Sequence, residues 1–234
     1  MSGKKSAVGN FSYEISFHSF APVMQETVTR DRIKKAAHDL VMRYGIRSVS
    51  MDDFASNLGM SKKTIYQYYK DKDELVDAVI SDIINRNKEI CVCDRQESRD
   101  AIHELFLALD MMSVVMESLN PVVMFDMQKY HPACFGKFLK HKDEYLYNVV
   151  KQNLIRGISE DLYRTDLNVE LMARFRVDSI LIPFNPGFTQ NVKMGLDEAH
   201  KELLIHYLYG IVNPKGYKLI QKYQKQRNDK AKGK

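Results

Sequence analysis

The chain has 234 residues, of which 44% are apolar and 28% charged, and it carries a net charge of +5. These are ordinary proportions for a globular chain that buries a core of its own. No run approaches the roughly 18 apolar residues that a bilayer span requires, and Glu14 and His18 interrupt the only N-terminal stretch resembling a secretory signal, so a cytoplasmic protein is expected. Three cysteines, Cys91, Cys93 and Cys134, are an odd count without framework spacing, which argues against a secreted disulfide scaffold.

The charge is unevenly spread. Residues 1–72 hold 12 Lys/Arg against 7 Asp/Glu, residues 73–214 hold 15 against 22, and residues 215–234 hold 8 against 1. A basic front, an acidic middle and a basic tail point to a polyanion met at an end of the molecule.

In chain order, residues 1–25 lack a helical period and read as an extension, with Phe11, Tyr13, Ile15 and Phe17 alternating as a lone strand would. From Thr29, a predicted N-cap, the residues Ile33, Ala36, Ala37, Leu40, Val41 and Tyr44 form one helical stripe that Gly45 stops. Ser50 caps a second predicted helix, in which Asp52 and Asp53 favour the positive end and Phe54, Ala55 and Leu58 face inward; Gly59 ends it. Ser61 caps a third, from Lys62 to about Tyr69, with Ile65 and Tyr69 as its buried pair, and Asp71 opens a fourth. Further helices are expected over 100–118, 121–129, 133–157, 168–183, 196–211 and 215–226, with a disordered Lys-rich tail after Gln226.

Two short helices around a Gly-containing turn form a helix-turn-helix pattern. With Ile65 and Tyr69 turned inward, Lys62, Lys63, Thr64, Tyr66, Gln67 and Tyr68 occupy the other faces of the third helix. That set supplies charge, amide and hydroxyl groups beside a helix N-terminus, the chemistry that meets phosphates and base edges.

The segment from Arg32 to Leu75 resembles the TetR family DNA-binding segment through Ala36-Ala37, Tyr44-Gly45, Val49-Ser50, Phe54-Ala55, Leu58-Gly59, Ser61-Lys62, Thr64-Ile65-Tyr66, Tyr69, and Lys72 followed by Leu75. The resemblance covers about a fifth of the chain and implies an all-α fold. It also implies a three-helix DNA-binding domain at 26–72, followed by a helical effector-binding and dimerisation domain at 73–214 and a basic C-terminal helix and tail at 215–234. By position it implies DNA contacts from Ser50, Ser61, Lys62, Lys63, Thr64, Tyr66, Gln67, Tyr68 and Lys72. Lys63 departs from the pattern, standing where the family most often has glycine.

The same resemblance implies a homodimer, paired through helices 168–183 and 196–211, with Leu171, Phe175, Ile180, Leu203, Leu204, Tyr207 and Leu208 on their apolar faces. It further implies a repressor of a palindromic double-stranded operator and a small-molecule effector held in the acidic body. Met112, Met116, Phe125, Tyr130, Phe175 and Asp178 are the candidate pocket residues, with His103 and Asp126 as further polar candidates. His131, Cys134 and His141 are the only cluster resembling metal ligands, and their spacing does not suit one ion. No cofactor, no metal, no membrane partner and no enzymatic activity are expected. Two alternatives have discriminating tests. A helical ligand-binding protein would show no duplex binding near physiological salt, and a protein-interaction scaffold anchored on DNA would not respond to small molecules.

Overall fold

The computed structural model describes residues 20–185, 187, 188, 191 and 193–232. The alternating residues Phe11 to Phe17 lie outside that range. Among the described residues every regular element is a helix, and the β-contact present is one antiparallel bridge between Tyr163 and Val212.

Helix α1, Phe20–Tyr44, starts well before the predicted cap, so Thr29 lies inside the helix. Pro22 in its first turn is compatible with this earlier start, where its missing N–H has no helical acceptor to lose. The stripe Ile33, Ala37 and Val41 is buried as expected, but Tyr44 is not. It sits in the last turn with the Arg43 guanidinium over its ring. Gly45, at φ 90°, ends α1, and a Cβ there would lie 2.5 Å from Val122 Cγ1.

Helix α2, Met51–Leu58, has a complete capping box: Ser50 Oγ accepts the Asp53 N–H and the Asp53 carboxylate accepts the Ser50 N–H. Gly59, at φ 62°, caps its C-terminus. Helix α3, Lys62–Tyr66, is shorter than predicted: Gln67 is its C-cap, and the N–H groups of Tyr68 and Tyr69 both turn back to the Ile65 carbonyl. Asp71 then caps α4, Lys72–Glu97. At 1.5 Å rise per residue that helix is about 40 Å long.

Helices α5 (Ala101–Ser118) and α6 (Val122–Tyr130) follow. The predicted helix 133–157 divides into α7 (Pro132–Lys140), a π-helical turn (His141–Leu146) and α8 (Tyr147–Ser159). Helix α9 (Val169–Ser179) leads through a 3₁₀ turn, Ile182–Phe184, toward α10 (Leu196–Ile211). Helix α11 (Pro214–Lys232) continues well past Gln226, where disorder was expected.

Two apolar cores organise these helices. The head core joins Ile33, Val41, Phe54, Ile65, Tyr69, Leu75 and Val79, and it also takes Val123, Met127 and Cys134 from α6 and α7. The body core joins Ile102, Phe106, Leu154, Tyr163, Leu208 and Tyr223. Packing therefore does not divide at residue 72, because a later part of the chain returns to complete the head.

Polar contacts fasten the returning segment along α4 at successive levels. His131 Nδ1 lies 3.0 Å from Asp73, Lys137 reaches Asp77 at 2.6 Å, and His141 Nε2 lies 2.8 Å from Asn87 Oδ1. His131, Cys134 and His141 are rungs of this ladder and do not converge. Among the described residues no group of three His, Cys, Asp or Glu side chains is arranged to hold a metal ion.

Burial, with the Lys88 charge nearby, pushes the His141 pKa down to about 4. The unfolded chain takes up this proton near pH 6.5 and the folded chain only near pH 4, so His141 costs stability as pH falls through that window. The urea midpoint is expected to drop between pH 6.5 and 4.5, and His141→Gln should flatten the drop. A variant curve parallel to wild type would assign the loss to other groups.

Candidate nucleic-acid interface

The helix-turn-helix satisfies its helix N-termini internally. Ser61 Oγ accepts the Thr64 N–H at 3.0 Å and lies 2.8 Å from Thr64 Oγ1. The Ser50 hydroxyl donates to Asp53 at 2.6 Å, and these bonds hold the Asp53 carboxyl below the ordinary carboxylate range. Lys62 pairs with Asp52 at 2.9 Å, which raises its pKa. Ser50, Ser61, Thr64 and Lys62 thus all have partners inside the motif.

The remaining predicted contacts differ. Among the described residues, the side-chain donors of Lys63, Tyr66, Gln67 and Lys72 have no hydrogen-bonding partner. Lys63 and Gln67 are exposed, and the Tyr66 side chain, 44% exposed, projects outward. Tyr68 is half-buried against the head core, so packing claims much of its ring. Lys72 opens α4 half-buried, and desolvation lowers its pKa against the pull of Asp126, Asp73 and Asp53. An ammonium in such a place gains more from an arriving phosphate than a fully hydrated one does.

A joint that sequence spacing did not reveal fixes the height of this unit on the body. Asp126 of α6 is buried and accepts the Arg47 N–H at 2.8 Å. The Arg47 guanidinium donates to Tyr130 Oη at 2.9 Å and lies over the Tyr130 ring. Asn120 donates its N–H to the Met42 carbonyl at 2.7 Å and its side-chain amide to the Arg43 carbonyl at 3.2 Å. The end of α1 is thereby capped by the segment before α6. Asp126, read from sequence as a ligand-orienting candidate, serves the head instead.

The six pocket candidates have different surroundings among the described residues. Phe125 and Tyr130 are exposed and pack edge to face. Phe175 stacks on Tyr207, and Asp178 pairs with Lys142 at 2.7 Å. Met116 is buried and Met112 half-buried on α5. His103 leans on the Tyr223 ring and accepts the Arg99 N–H at 3.2 Å. A surface cleft of about 200 Å³ lies between α1 and α4, lined by Arg30, Lys34, Tyr69 and Asp82, away from all six.

A capped helix-turn-helix with unclaimed donors, mounted on a body whose described elements are helices, defines a DNA-binding transcriptional regulator. Residues 33–79 match the family described as bacterial regulatory proteins, tetR family. The chain is similar to the uncharacterized HTH-type transcriptional regulator YvaF of Bacillus subtilis, 31% identical over 143 residues that span 56% of this chain and 73% of that protein. It therefore belongs to the TetR family. Its fold is similar to that of a TetR regulator from Chloroflexus aurantiacus, with TM-score 0.64, 14% identity, and coverage of 81% of this chain and 98% of the other. It is also similar to FadR from Bacillus subtilis in complex with stearoyl-CoA, with TM-score 0.58, 19% identity, and coverage of 76% and 97%. No single helix among the described residues is long and apolar enough to cross a membrane, while the bent pair α5–α6 meets that test by length and composition alone. Helix α5 nevertheless supplies Ile102, Leu105, Phe106 and Leu109 to the body core, the role of a core helix in a globular protein.

Proposed function

We propose that the chain acts as a homodimeric repressor of a palindromic operator and leaves it when a small molecule binds the body. The observation that carries the DNA half is the set of free donors, Lys63, Tyr66, Gln67 and Lys72, held on one internally capped unit. Dimerisation is supported by helix α9, where Leu171 is 57% and Phe175 50% exposed, an apolar pair at i, i+4 that a second copy would cover. The response to a ligand is supported by the Asp126 and Asn120 joint, through which any shift of α6 reaches α1 and α2. FadR, of the same fold, holds stearoyl-CoA. Release requires the effector to bind the DNA-free conformation more tightly than the bound one.

Selection of bound fragments from a random duplex pool, with and without candidate metabolites, tests the whole reading. Specific binding should weaken steeply as salt rises, because each phosphate contact releases counterions. Lys72→Ala should weaken all sequences alike and make the salt dependence shallower by about one unit of slope. Gln67→Ala should change sequence preference by roughly 1–3 kcal/mol at the bases it reads. A uniform loss from Gln67→Ala makes it a backbone contact, and a selection that yields no consensus removes the operator from the proposal.

A further inference from the structure

Two arginines of the body have opposite surroundings. Arg156 is enclosed by carboxylates: its Nη1 donates to Glu104 at 2.9 Å and its Nε to Glu160 at 2.5 Å. Arg176, on α9, has none. Its Nη1 donates to Ser179 Oγ at 3.1 Å, and the Ser179 hydroxyl in turn donates to the Arg176 carbonyl at 2.6 Å. Among the described residues no Asp or Glu pairs with it, although burial pulls its pKa down to about 10.

One residue earlier on the same helix, Phe175 stacks on a second unclaimed donor. Tyr207 of α10 is buried, its ring stacks on Phe175 with centroids 6.3 Å apart, and among the described residues its hydroxyl has no hydrogen-bond partner. The Arg176 charge acts on both Tyr207 and His200. His200 is committed elsewhere, since its two ring nitrogens each lie 2.9 Å from a backbone carbonyl, those of Leu196 and Ile180. Around Tyr207 the core is apolar, with Ala173, Leu204 and Leu208 buried.

A half-buried guanidinium with no counter-charge among the described residues, near a buried phenol likewise without a partner, is half of an interaction. We propose that Arg176 and Tyr207 form the recognition site for the anionic end, a carboxylate or a phosphate, of an otherwise apolar effector. The guanidinium offers parallel N–H donors that fit either group, the phenol adds a third, and the apolar surroundings select the remainder of the molecule. This rests on the ligand-responsive reading above and gives that ligand a chemical class.

Calorimetry on the full chain without DNA tests it, with octanoate, octyl phosphate and octanol as probes. At least one of the two anions should bind about tenfold more tightly than octanol, as expected for hydrogen bonds to a charged group, and which anion it is separates carboxylate from phosphate. Arg176→Gln should reduce the anion to the affinity of the alcohol. Tyr207→Phe, which keeps the stacked ring, should narrow the anion-to-alcohol ratio, and it carries the test should Arg176→Gln fail to fold. Equal affinity for octanol and both anions, no binding of any probe, or an unchanged ratio in the folded variants overturns the site. Operator release is measured separately. An anion that binds through Arg176 without freeing the operator removes the ligand-responsive reading and leaves the site standing, whereas release by a neutral molecule in a chain that ignores both anions removes the site alone.

Discussion

Arg156→Ala is expected to destabilise the protein by about 3–5 kcal/mol, the range for breaking a buried ion pair from one side. Arg156 and Glu104 are both largely buried, and the arginine also donates to the hydroxyl and carbonyl of Ser98. Glu160, its second carboxylate, accepts the Ala101 N–H at 2.8 Å with its other oxygen. One guanidinium thus ties the end of α4, the start of α5 and the end of α8 together, and its removal leaves Glu104 charged with only the longer 3.3 Å contact to Arg95. A urea titration should show the midpoint fall with little change in slope, and hydrogen exchange should accelerate first around residues 98–105 and 153–160. Replacing Arg156 and Glu104 together by apolar residues of similar volume should recover much of the loss, because no unpaired charge then remains buried. A double variant no more stable than the single one would show that shape, not charge, holds this corner.

The elements that sequence made legible are those whose signals are local. Ser50, Ser61 and Asp71 cap their helices as read, because a cap needs only its own side chain and an N–H three residues on. Gly45 and Gly59 end α1 and α2 with positive φ, which a short-range pattern also encodes. Boundaries decided by tertiary contact were harder. Tyr69 is buried as expected, yet it lies beyond α3, with its hydroxyl on the Arg30 carbonyl and the Arg30 guanidinium over its ring. The burial was right, and the helix assumed to produce it was too long. The π-helical turn at His141 has no signature in a run of alternating charge and aromatic residues.

The functional site divides along the same line. The donors of α3 follow from helix periodicity within nine residues. The Arg47–Asp126 joint links positions 79 apart in sequence, and no pattern in either segment announces the other. The methionine-rich stretch was legible by composition alone, and composition does not say which face turns inward. Phe125 points out and Met127 points in. Arg176 had no sequence signal at all, because what marks it is that no carboxylate among the described residues pairs with it, which only a folded chain can show.

Phe54→Ala should cost about 3–5 kcal/mol as well, through the cavity left by a ring with no exposed surface, but its effects should fall in a different place. Phe54 sits where α2 packs into the head core, against a set that includes Ile33, Val41, Ile65 and Leu75. Cavity formation there loosens α3 without touching Lys63, Tyr66 or Gln67, so DNA affinity should fall sharply even though every contact residue is intact. Hydrogen exchange gives the sharper result. If the head were residues 26–72 alone, protection would be lost only there. Because Val123, Met127 and Cys134 close the same core, protection should fall in α6 and α7 too, while α5 and α10, built around the body core, keep theirs. Loss confined to α1–α3 would mean that the returning segment only rests against the head, and the route by which a bound effector reaches the recognition helix would have to run through α4 alone.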